Sequence, residues 1–185
     1  MKSILILLSF VFCFVSNIEA QKLFTRTGHI SFSSEAPLET IEASNHKVTC
    51  VLDGATGKME FAVLIKAFQF EKALMQEHFN ENYMESDKFP KAKFKGAISN
   101  MNEVDLTKDG VYKVTVNGEL TIHGISQTVT TIGQLKVENG QLKATANFSV
   151  LVADHKIEIP AVVRDNIAKE VEIKVSIDDF EVLNK

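Results

Sequence analysis

The sequence predicts an all-β fold, an antiparallel barrel or sandwich of roughly eight or nine strands. Three observations predict it. Apolar and polar residues alternate with period two along most of the chain, as in Val114, Val116, Leu120 and Ile122 set against Lys113, Thr115, Glu119 and Thr121. Short turn signals separate the runs, the strongest being Asn139-Gly140 between Val137 and Gln141. Helical periodicity is confined to one stretch after Phe70.

The N-terminus is set aside first. Lys2 precedes the apolar run Ile4 to Val15, and Ala20 is a small residue placed before Gln21. That is the layout of a secretory leader, and the run is short for a membrane span. Residues 1–20 are therefore expected to be removed near Ala20, leaving 185 − 20 = 165 residues, 21–185, as one domain. A periplasmic or secreted product is expected.

Strands then follow in order. Gly28 to Ser34 alternates around Ile30 and Phe32. Glu39 to Asp53 reads as two short strands turning around Ser44-Asn45-His46. Lys58 to Phe68 places Phe61, Val63 and Ile65 on one face after the turn at Asp53 to Gly57. Phe70, Leu74, Met75, His78 and Phe79 then fall at helical spacing, beginning near Glu71, and Pro90 stops any continuation. Lys93 to Asn100, Val114 to Ile122, Val129 to Val137, Gln141 to Val152 and Val171 to Ile177 complete the strand set. Isolated glycines at 118, 124 and 133 read as bends or bulges.

The net charge of −4 is unchanged by loss of Lys2 and Glu19, and no basic patch suits nucleic acid or an anionic membrane surface. The lysines from Lys88 to Lys95 read as a solvated strand edge. Cys50, alone after the leader, cannot staple the fold and reads as a small buried hydrophobe. The five histidines show no metal-site spacing, and Asp154-His155, read as adjacent strand residues, point to opposite faces. There is no Gly-x-Ser-x-Gly elbow, and Ser126 has no readable base. No cofactor, metal or catalytic set is expected.

Aromatic residues carry the functional signal. Phe68, Phe70, Phe79, Phe89 and Phe94 crowd into one third of the processed chain, either packing a helix onto the barrel or lining a cavity for an apolar chain. About 0.8 kcal/mol per buried CH₂ binds a long hydrocarbon without polar chemistry. An interior of about eight strands holds either its own side chains or one slender ligand.

Two segments resemble a known family. His78-Phe-Asn with Ser86-Asp-Lys-Phe-Pro-Lys-Ala-Lys-Phe-Lys-Gly96, and Gly118-Glu-Leu-Thr-Ile-His-Gly124, are similar in kind and order to the YceI-like family of exported bacterial lipid-binding proteins. Phe148-Ser-Val150, Asp154-His-Lys-Ile157 and Val171 to Ile177 add weaker matches. The resemblance implies an extended, lipocalin-like antiparallel barrel with a short helix near its mouth. It also implies a polyisoprenoid or similar amphiphilic lipid inside, and a periplasmic or extracellular location. On strand parity, Phe61, Val63, Val116, Phe148 and Val150 are then expected to line the barrel, with Phe70, Leu74, Phe79, Phe89 and Phe94 at its mouth. The alternative is an envelope interaction or stress protein whose barrel is filled by its own side chains.

Overall fold

The computed structural model describes residues 21–183; the leader read in residues 1–20 lies outside them. Strands run over Lys22–Glu35 (β1), Thr40–Asp53 (β2), Lys58–Leu64 (β3), Gln69–Phe70 (β4), Lys91–Ile98 (β5), Gly110–Ile122 (β6), Ile125–Glu138 (β7), Gln141–Leu151 (β8), Glu170–Ile177 (β9) and Glu181–Val182 (β10). The helix α1, Ala73–His78, continues as π-helical turns over Phe79–Tyr83.

Every pairing is antiparallel. The ring β1–β2–β3–β5–β6–β7–β8–β9 closes when β9 returns to β1, giving an eight-stranded barrel flanked by the two-residue strands β4 and β10. Closure leaves no long exposed edge. β5 is thus paired on both sides, and Lys91, Lys93 and Lys95 stand exposed on its outer face rather than on a sheet edge.

The segment read as two strands between Glu39 and Asp53 is one, Thr40–Asp53. Ser44-Asn45-His46 has the composition of a turn but forms a bulge. The register slips by one residue on β1 between Thr25 and Gly28, and back by one on β2 between Val48 and Asn45. Fully buried Asn45 holds the second bulge: its Nδ2 donates to the Leu64 carbonyl at 2.9 Å, and its Oδ1 accepts from the Lys47 amide at 2.8 Å. The slips restore the inward set to Gly28, Ile30, Phe32 and Ser34 on β1 and to Ala43 and Asn45 on β2. Asn139-Gly140 is the anticipated tight hairpin, with φ of 52° and 74° as a primed turn requires.

The two ends of the barrel differ. Short links at 54–57 and 139–140, the segment 99–109 and the chain around Phe180 close one end. There Leu23, Leu52, Ile98, Leu106, Val114, Leu135, Val137 and Leu142 form a buried apolar floor. The helix-bearing segment 65–90, the hairpins at 36–39 and 123–124, and the connection 152–169 all gather at the opposite end.

Candidate functional site

Above the floor the inward side chains do not meet. Phe61, Phe94, Val129, Thr131, Phe148, Val150, Ile173 and Val175 point into the barrel by parity yet are only partly buried, so a surface lies free inside the ring. Small inward residues make the room: Ala92 and Gly96 on β5, Gly118 on β6, Gly133 on β7, Ala144 and Ala146 on β8. The result is a lumen of about 430 Å³ with an almost wholly apolar wall, within the range of roughly 300–1,000 Å³ typical of small-molecule sites.

Of the side chains anticipated at the site, Phe61, Val63, Phe70, Phe79, Phe94, Val116, Phe148 and Val150 line this lumen. Two do not. Leu74 is 61 % exposed on the outer side of α1, because Phe70 belongs to β4 and a helical stripe counted from it is out of phase. Phe89 packs edge-on to the His123 ring, centroids 4.6 Å apart, outside the lumen.

Sequence reasoning missed Phe32, which completes a cluster with Phe68, Phe70 and Phe79 at centroid distances of 5.0–5.8 Å. Contacts of this geometry contribute about 0.5–1.5 kcal/mol each beyond area burial, and they seat the helix against β1. It also missed Ile157, Ile159, Val163 and Ile167, which come from the 152–169 connection and wall the mouth. Their i, i+2 spacing at 157 and 159 was legible, but Pro160 and the surrounding charges disguised it.

Some of the polar groups at the mouth form a clamp. His123 Nε2 lies 2.8 Å from Glu85 Oε2, and its Nδ1 lies 3.2 Å from the His155 carbonyl. Both partners are acceptors, so the two bonds form together when the ring carries both protons. Asp154 and His155 lie in a helical turn over Val152–His155, not on a strand, which is how His155 comes to turn inward. Gly124, at φ 74°, would place a Cβ 2.6 Å from Phe89 Cε1, so no other residue fits beneath that ring.

The hydrogen bond from His123, ahead of the lesser attraction of Lys88, holds the Glu85 carboxyl below the ordinary carboxylate range. A lowered native value means that the Glu85 carboxylate's contribution to the clamp is fully present above the ordinary carboxylate pKa and is lost as pH falls through the native one. Glu85→Gln is expected to leave the global melt near wild type, because Glu85 is exposed. It should speed exchange of the Lys88 and Phe89 amides, which donate to the Glu85 carbonyl at 2.8 and 2.9 Å. Wild-type protein should show the same loss on acidification once intrinsic rates are divided out. Unchanged exchange in the variant would count against the clamp.

Other reactive groups sit apart from any such arrangement. Cys50 is 1 % exposed and burial pushes its thiol up to about 12, which suppresses the nucleophilic thiolate. His29 and His46, distant in sequence, stack at 4.2 Å on the outer face of the β1–β2 bulges. Burial first, and then His46, holds His29 below the usual histidine value. Among the described residues no three His, Cys, Asp or Glu side chains converge as a metal site, and no helix is long and apolar enough to cross a membrane.

The model of the YceI-like domain matches residues 20–178. The chain belongs to the YceI-like family. Solved structures share the fold of this YceI-like domain at low identity. A polyisoprenoid binding domain from Saccharophagus degradans, implicated in plant cell wall breakdown, aligns with a TM-score of 0.76 and 11% identity over 89% of this chain and 99% of that one. BcnA of Burkholderia cenocepacia aligns at 0.66 and 18% identity, over 80% and 94% respectively. A mutant YceI protein of Campylobacter jejuni aligns at 0.53 and 16%, over 77% and 85%. No curated protein matches the chain significantly. In this YceI-like domain the two motif segments form one physical unit, since Phe89 of the first rests on His123 and Gly124 of the second.

Proposed function

We propose that this YceI-like domain is an exported, non-enzymatic carrier that holds a polyisoprenoid or another long-chain amphiphilic lipid within its barrel. The observation that carries the reading is the open, apolar lumen above a buried apolar floor. Its inward wall offers dispersion contacts and water exclusion along the length of a slender chain, with few polar groups to align a reaction. Phe61, Val63, Phe94, Val116, Phe148 and Val150 would contact the tail, with Phe70 and Phe79 closing over it. The polyisoprenoid binding attributed to the Saccharophagus domain supports the ligand class. The leader-like residues 1–20 support a periplasmic or secreted location. A side-chain-filled barrel serving only as an interaction surface fits less well, because the inward residues leave the lumen open.

Native mass spectrometry of the protein expressed with its leader in its own host tests both parts. The expected species is the 185 − 20 = 165-residue chain carrying a lipid adduct. A bare protein mass, with no uptake of long isoprenoids in vitro, would sink the carrier reading. An unprocessed chain would sink the export reading alone.

A further inference from the structure

A carried amphiphile has a polar end, and one side chain of the lumen is set to receive it. His155 is 2 % exposed, yet its ring lines the lumen. Its Nδ1 lies 3.1 Å from the Ile125 carbonyl oxygen. A carbonyl only accepts, so Nδ1 carries a proton and donates. In the neutral ring Nε2 is then a bare lone pair, and no described residue hydrogen-bonds to it. Nε2 is not among the fully enclosed unpartnered atoms, so it keeps contact with the lumen, where an arriving donor would gain a hydrogen bond that the protein does not supply. The lumen's carboxylate, Glu39, is by contrast already engaged, by Lys72 Nζ at 3.2 Å and Asn166 Nδ2 at 3.4 Å.

The backbone around this ring is held in an unusual state. His155 is gripped through its carbonyl by His123, and His123 by Glu85. Glu85, His123 and the adjoining Lys156 have φ of 42°, 51° and 54°; among the described non-glycine residues only Asn139, in its hairpin turn, is also positive. Left-handed conformations of side-chain-bearing residues persist where the surroundings over-determine them, and they gather at ligand clamps. Three of them converge here on the segment that aims one imidazole into an apolar cavity.

Building on the carrier reading, we propose that His155 Nε2 is the polar anchor of the lumen, and that it selects a lipid ending in a hydroxyl, an isoprenoid alcohol rather than its phosphate ester. A hydroxyl supplies the donor that the lone pair lacks. A phosphate ester brings negative charge into an almost wholly apolar wall, which opposes its entry. His123 and Glu85 act as positioning residues.

The test is displacement of an apolar fluorescent dye from the full chain by three probes: geranylgeraniol, geranylgeranyl phosphate, and the hydrocarbon of the same skeleton. Wild-type protein is expected to bind the alcohol about tenfold more tightly than the hydrocarbon, the worth of one buried hydrogen bond, and more tightly than the phosphate. His155→Phe should bind alcohol and hydrocarbon alike, with hydrocarbon affinity kept. His155→Gln should retain the preference, since its amide nitrogen donates to Ile125 while its oxygen accepts in the lumen. Equal wild-type binding of alcohol and hydrocarbon, tighter binding of the phosphate, or an alcohol preference that survives His155→Phe overturns the anchor while leaving the carrier standing. Failure of the dye and all three probes overturns both. Should His155→Phe not fold, the wild-type ranking of the probes and the Gln variant still decide.

Discussion

Ala146→Phe is expected to fold as the wild type does and to lose lipid uptake. Ala146 points inward on β8, between Gly133 of β7 and Val175 of β9, and it lines the lumen. A phenyl ring added there enters open space and fills the path of a slender ligand. Val48→Phe on β2 adds comparable bulk where there is no room, since Val48 is fully buried against Ala43, Val63 and Phe68 and is not part of the lumen wall. Overpacking a dense core costs about 1–3 kcal/mol. Denaturant melts should therefore show a loss of that size for Val48→Phe and less than about 1 kcal/mol for Ala146→Phe. Lipid adducts in native mass spectra should vanish for Ala146→Phe. Equal destabilisation by the two changes would mean that the barrel is solid at both levels, and uptake unaffected by Ala146→Phe would mean that ligand lies elsewhere.

The contrast between these two positions follows the limits of what strand parity conveys. Alternation placed Phe61, Val63, Val116, Phe148 and Val150 on the inward face, and all line the lumen. It did not tell Val48, in a filled region, from Ala146, beside the lumen, because filling depends on residues brought together from distant strands. Glycines within strands at 118 and 133 looked like bends, but their significance lies in inward parity: each removes a side chain from the ring. Parity also fails wherever a bulge intervenes, as at Asn45, whose turn-like neighbourhood concealed a continuous strand. Helical phase failed at Leu74 for a related reason, since Phe70 lies on a strand and the π-helical turns from Phe79 reset the spacing. The clamp was least legible. Glu85, His123 and His155 are far apart in the chain, and only barrel closure at the mouth makes them neighbours. The family resemblance marked all three segments, the one around His155 more weakly, without showing that they touch.

Gly118 carries the largest stability effect anticipated from a single side chain. It sits directly opposite Gly96 where β5 meets β6, and the Phe94 ring lies across the pair. A Cβ on Gly118 would come 2.5 Å from Phe94 Cζ, 2.6 Å from the Lys95 carbonyl oxygen and 2.7 Å from Gly96 Cα, all inside the 3.0 Å that real Cβ atoms respect. The aromatic ring can swing away into the lumen. The other two atoms are backbone of the neighbouring strand, so relief requires β5 and β6 to part where each is also paired to another strand of a closed ring. Strain therefore spreads around the barrel instead of relaxing at an edge. Gly118→Ala is expected to cost about 3 kcal/mol or more, and Gly118→Val to accumulate no folded protein. A Phe94→Ala background separates the two sources of strain. If the ring were the obstacle, Gly118→Ala would become nearly neutral in that background; because the carbonyl of Lys95 and the Cα of Gly96 remain, denaturant melts should show most of the loss persisting.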